Sequence, residues 1–177
     1  DWHPLVRQIA PGEGVPLARP LPAAEAFLPE TSASALRGAL LHYKTTVLVP
    51  HELPAVKRAC ELARRNEMKE LLALDLALAG EAWIQPYAAD SRTAGRQHLE
   101  RLRPLRDHRG LRRYIVAVEG GEANGWHFLV AGAALGLYSL PARQGLMDYA
   151  MHTFWNTVAH LAGALDLDES EAVALVN

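Results

Sequence analysis

The sequence predicts an all-α protein on three observations. Apolar residues recur at steps of three and four in successive stretches, the period of a helix with one buried face. No stretch alternates at period two for long enough to make a strand. Proline, glycine and asparagine cut the chain into lengths that fit helices and short connections. The expected architecture is a single-domain orthogonal bundle of about seven helices over residues 31–177, preceded by a proline-rich arm over residues 1–30.

The arm carries Pro4, Pro11, Pro16, Pro20, Pro22 and Pro29 with Gly12 and Gly14. No regular helix can run through most of it, although Ala23–Phe27 could form one turn. Thr31 or Ser32 then caps a first helix to about Val47, which buries Leu36, Leu40, Tyr43 and Val47. Pro50 is expected to end it, because the residue before a proline is pushed out of the α region. A second helix, His51–Arg65, tolerates Pro54 in its first turn and turns Leu53, Val56, Cys60 and Ala63 inward. Asn66 breaks the pattern.

Glu67 to about Trp83 is the third helix, and Asp75 lies on its apolar stripe of Met68, Leu71, Leu72, Leu78 and Ala82. A carboxylate at a core position must find a partner, and an arginine of the next helix is the expected one. That fourth helix runs from Asp90, as its cap, to about Leu105, and carries Arg92, Arg96, Arg101 and Arg103. No aromatics interleave these arginines, so a solvated face with ion pairs is expected rather than a nucleic-acid surface. His108–Val118 is a fifth helix and Gly120–Gly125 a loop.

Trp126–Leu137 is apolar nearly all round and belongs at the centre of the core; it is too short to span a bilayer. After the Ser139-Leu140-Pro141 break comes a long helix. Its Met147, Ala150, Met151, Phe154, Val158, Leu161 and Leu165 make one apolar face. Asp148, His152, Asn156 and His160 form a slanted polar ladder behind it, and Trp155 lies off the apolar face, pointing outward. Asp168 caps a last short helix, Glu169–Val176.

Half of the 177 residues are hydrophobic and the net charge is −2. Without a basic cluster this argues against nucleic acid as a partner, and no segment reads as a membrane span or leader. The single cysteine, Cys60, excludes an intrachain disulfide and points to the reducing cytoplasm; it reads as a small core residue, not a nucleophile. No Gly-x-Ser-x-Gly, Cys-x-x-Cys or His-Glu-x-x-His pattern occurs. Asp148-x-x-x-His152, with His160 beyond, is the one metal-like feature, but the Glu-x-x-His pattern of di-iron bundles is missing. No catalytic residue, metal or cofactor is assigned. His127, at the head of an apolar helix, reads as a satisfied buried histidine. The competing reading is a helical-bundle enzyme, or a haem- or small-ligand-binding protein, that uses a histidine of the 148–160 ladder.

Several of these residues fall in a familiar order. Asp90-Ser91-Arg92-Thr93-Ala94-Gly95 is similar to the Ala-Ser-x-x-x-Gly step of the UreF family of urease accessory proteins. His127 and Gly132 stand where that family has a His and a glycine opening a small-residue helix. Tyr149 and Asn156 keep its Tyr-to-Asn spacing, and Leu74-Asp75 resembles its Leu-Asp pair. The terminal motifs are altered: the arm replaces an opening Pro-x-Gly-x-Phe-x-His-Ser segment, and Asp166-Leu167-Asp168-Glu169 replaces Pro-Leu-Gly-Gln. The resemblance implies a dimeric, all-α, non-enzymatic adaptor. Such a protein bridges the UreD (UreH) scaffold and the UreG GTPase, and through them delivers nickel to apo-urease. It also implies partner-binding roles for Ser91, Gly95, His127, Tyr149 and Asn156, to which the aromatic character of the C-terminal half adds Trp155.

Overall fold

The computed structural model describes residues 32–105, 108–165 and 170. The expected arm over residues 1–30 lies outside them, as does the expected terminal helix apart from Ser170. Seven α-helices follow in order: α1 (Ala33–Tyr43), α2 (Leu53–Arg64), α3 (Met68–Leu78), α4 (Ala88–Leu102), α5 (Arg109–Glu119), α6 (His127–Leu137) and α7 (Ala142–Leu165). No strand occurs among the described residues, and no helix there is long and apolar enough to cross a membrane.

The all-round apolar helix is the axis of the fold, as its composition predicts. Every residue of α6 except Ala131 is buried, and so is Trp126 just before it. Two glycines let α2 lie directly against α6. A Cβ on Gly132 would meet the Val56 carbonyl oxygen at 2.3 Å, and one on Gly136 the Cys60 carbonyl oxygen at 2.3 Å. Ala59 and Ala63 supply the matching small residues on α2. Cys60 is buried in this contact, and burial raises its thiol, as fits a core residue. Arg64 closes the far end by donating from Nη2 to the Leu140 carbonyl at 2.8 Å, which holds the Ser-Leu-Pro break.

Ser32 caps α1, its Oγ accepting from the Ala35 amide at 3.2 Å, and Asn66 ends α2 in the left-handed region at φ 58°. Two other boundaries differ from expectation. α4 starts at Ala88, after a 3₁₀ turn (Ala82–Tyr87) that absorbs Pro86, so Asp90 sits in its first turn and does not cap it. Pro50 does not end the first helix. The chain passes from α1 through a π-helical segment, Lys44–Glu52, straight into α2. The wider winding accommodates a residue without an N–H, and the hydroxyls of Thr45 and Thr46 supply donors to the Leu41 and His42 carbonyls. It also changes which side chains meet. Residues nine apart are about 180° out of phase on an α-helix but return to within about 20° at the roughly 4.4 residues per turn of a π-helix. Tyr43 and Glu52, nine apart, therefore share a face.

Asp75 is fully buried, as its stripe position implies, but its partner is not an arginine. Its carboxylate accepts from the Tyr114 hydroxyl of α5 at 2.7 Å and from the Asn124 and Gly125 amides at 2.5 and 3.0 Å. Its own carbonyl accepts from the Trp126 indole at 2.8 Å. The arginines of the expected fourth helix point elsewhere: Arg92 of α4 lies over the Trp126 ring, 5.7 Å from its centroid, and Arg103, just past the end of α4, pairs with Glu100 and Glu119 at the surface.

The long helix corrects the largest expectation. Met147 and Met151, placed on the buried apolar face, are 59% and 45% exposed. The inner face is instead Gly145, Asp148, Tyr149, Thr153 and Thr157, with Ala150 and Phe154 half-buried against the core as expected. Gly145 admits the Leu135 side chain, and the Tyr149 hydroxyl is bonded into the core. Val158 is buried as expected; Leu161 and Leu165 lie among side chains outside those described.

Candidate functional site

Beside the Asp75 network, a second buried polar cluster lies inside the bundle, and π-winding creates its anchor. Glu52 is fully buried. Its Oε2 accepts from the Tyr43 hydroxyl at 2.5 Å and the Tyr149 hydroxyl at 2.9 Å, and its Oε1 from the Tyr87 hydroxyl at 3.4 Å. The Tyr149 oxygen lies 3.0 Å from His127 Nε2, and His127 Nδ1 lies 2.8 Å from Ser91 Oγ. His127 Nε2 is also 3.8 Å from Glu52 Oε1. The chain Ser91–His127–Tyr149–Glu52 thus ties α4, α6 and α7 to the π-helical segment, and Tyr43 and Tyr87 complete the carboxylate's shell.

The donor inventory fixes the proton arrangement. With Glu52 ionised, all three phenols donate to it. Tyr149 oxygen must then accept from His127 Nε2–H, and His127 Nδ1 accepts from the Ser91 hydroxyl. With Glu52 protonated, Tyr149 can turn its hydrogen to His127 Nε2, and Nδ1–H then donates to Ser91. Burial pushes the Glu52 carboxyl up from its ordinary 4.5 to about 7, although the three tyrosine hydrogen bonds oppose it. Burial, and secondarily His98, lowers His127 from 6.5 to about 3, so the imidazole is neutral at working pH. Burial and the neighbouring carboxylate raise Tyr43 and Tyr149 well above 10.

These shifts predict a pH signature. A carboxyl whose folded pKa exceeds its unfolded one contributes stability below the unfolded value, and that stability is lost as pH rises through the folded value. Glu52 therefore lowers stability as pH climbs from about 4.5 to about 7, while His127, depressed on folding, raises it from about 3 to 6.5. The two offset each other between, so the difference between Glu52→Gln and the wild type isolates the carboxyl. That difference should grow in favour of the variant by on the order of 3 kcal/mol across the Glu52 window, at about 1.4 kcal/mol per tenfold change in proton affinity. Urea melts at several pH values measure it. A difference that does not vary with pH would show that Glu52 titrates alike folded and unfolded.

Of the residues singled out in the sequence, Ser91, His127 and Tyr149 come together in this chain. Gly95, one turn beyond Ser91, packs its backbone on Gly125 and His127. All four are covered by the fold. Asn156 is half-buried. Trp155 is 40% exposed and continues Met147 and Met151 at steps of four. In the ladder, Asp148 is buried and accepts from the Gln144 amide at 3.2 Å; His152 is half-buried; the His160 side chain lies outside the described residues. No group of three or more metal-type ligands occurs among the described residues. Glu52, the hub, is not singled out by any sequence motif. Its place one turn before Val56, in line with the inward stripe of the expected second helix, is the signal that could have found it.

No curated protein and no solved structure matches the chain. A family model does match, that of UreF, over residues 30–176. The match takes in α1 to α7, including the Ser91, His127, Tyr149 and Glu52 chain that joins them, and the protein belongs to the UreF family of urease accessory proteins.

Proposed function

We propose that this protein is a non-catalytic adaptor that self-associates through α7 and, in the cytoplasm, links the UreD (UreH) scaffold to the UreG GTPase during nickel delivery to apo-urease. Family membership supports the accessory role. The observation that carries the self-association is the stripe Met147, Met151 and Trp155, three large apolar side chains left exposed at steps of four along the longest helix. Large aromatic side chains at such positions are typical interface anchors. The family-motif residues Ser91, Gly95, His127 and Tyr149 serve this surface from beneath, since the Tyr149 hydroxyl pins α7 to the core. Asn156 and Trp155 are the members a partner can reach directly.

Trp155→Glu tests the proposal. The side chain is outside the core, so helicity should be retained, whereas Phe154→Glu would strike the Tyr43 ring that Phe154 packs against at 6.2 Å. Truncating a central aromatic anchor costs about 2 kcal/mol or more, so dimerisation should weaken by at least roughly thirtyfold. Sedimentation of both proteins, with and without the scaffold and the GTPase, reads the result. A wild-type monomer that binds neither partner at micromolar concentration would overturn the adaptor reading.

A further inference from the structure

A second surface has a different chemistry. A groove of about 530 Å³ runs along α5 beside α3. Its apolar lining is Leu72, Val116 and Ala117, and Val116 is exposed. Its charged lining is Arg109, Arg112 and Arg113 against the single acid Glu122, an excess of positive charge on a chain whose net charge is −2.

Two features mark these arginines. Four others are engaged: Arg58 with Glu61, Arg103 with Glu100 and Glu119, Arg64 on the Leu140 carbonyl, Arg92 over Trp126. None of the three in the groove has an ion-pair partner among the described residues. They also crowd the beginning of α5, which has no acidic residue in its first turn. A helix start favours anions and disfavours cations, so the arrangement costs the folded chain something that a bound carboxylate would return.

We propose that this groove docks an acidic segment of a partner protein, one that presents two or three carboxylates beside an aliphatic side chain. Guanidinium groups bind carboxylates through paired N–H donors, and Leu72, Val116 and Ala117 offer the aliphatic contact between them. The lining contains no aromatic ring on which a base could stack, which favours an acidic polypeptide over a nucleic acid. The groove is built from α3 and α5, so the inference stands independently of self-association through α7.

The test is fluorescence anisotropy with a short labelled peptide of alternating Glu and Leu, titrated with the full chain. Saturable binding is expected. It should weaken with added salt and fall roughly tenfold or more in the double variant Arg112→Glu, Arg113→Glu. The neutral pair Arg112→Gln, Arg113→Gln should show a smaller loss, and it provides the same readout if charge reversal harms folding. Arg37→Glu, an exposed position on α1, should bind as the wild type does. Absence of saturable binding, an equal loss in Arg37→Glu, or displacement of the peptide by an oligothymidine at lower concentration than by unlabelled peptide would each overturn the proposal.

Discussion

Asp75→Ala should cost about 3–5 kcal/mol, because a charged acceptor of three hydrogen bonds is removed and its donors stay behind. The Tyr114 hydroxyl and the Gly125 amide are buried and cannot turn to water; the Asn124 amide is only partly buried and can be rehydrated. For a chain of this size a loss in that range lowers the melting temperature by roughly 10 °C. Asp75→Asn should fall between the alanine variant and the wild type. It keeps one oxygen, but its NH₂ must face a donor at the other position, and only the Tyr114 hydroxyl can reverse its role to accept. Chemical denaturation of the three proteins gives the order. A loss under about 1 kcal/mol in the alanine variant would place the carboxylate in water, where such bonds are worth little.

Asp75 also shows how far the sequence can be read. A carboxylate among Met68, Leu71 and Leu78 announces burial, and burial is found. Its partner cannot be inferred, since the Tyr114 hydroxyl and the Gly125 amide come from 39 and 50 residues away. The glycine loop, which lacks a phosphate-binding pattern, turns out to cradle the protein's own carboxylate, with Gly125 at φ 70° aiming its amide inward. α6 is legible because an all-round apolar helix has only one place to go. Met147 and Met151 mislead in α7, because the deciding contacts are polar: Tyr149 enters the core for the sake of Glu52 and His127, and this turns the two methionines outward. The pairing of Tyr43 with Glu52 is hidden by a sound local rule. Pro50 does disfavour an α-helix, but the chain answers with π-winding instead of stopping, and that winding sets Tyr43 and Glu52 on one face.

Gly95→Ala should be the most damaging single methyl among the described glycines. The added Cβ would lie 1.7 Å from the Gly125 carbonyl oxygen, 2.9 Å from its carbon and 3.0 Å from the His127 nitrogen. All three are backbone atoms, so no side chain can swing aside, and α4 must move away from the start of α6. That movement strains two networks together. Ser91, one turn earlier on α4, holds His127 Nδ1 at 2.8 Å, and Gly125 gives its amide to Asp75. Overpacking alone costs about 1–3 kcal/mol and sometimes more; with both networks pulled, a loss of roughly 3 kcal/mol or more is expected. The matched control is Gly38→Ala in α1, where nothing lies within 4 Å of the new methyl. There the same change should stabilise by up to about 1 kcal/mol, through helix propensity. Denaturation curves of the two variants therefore move in opposite directions. The same pair of variants separates two meanings of the family motif. A Gly95→Ala protein as stable as the wild type, but deficient in partner binding, would place the glycine at a docking surface. A destabilised one assigns it to the close approach of α4 and α6 on which the buried chain from Ser91 to Glu52 depends.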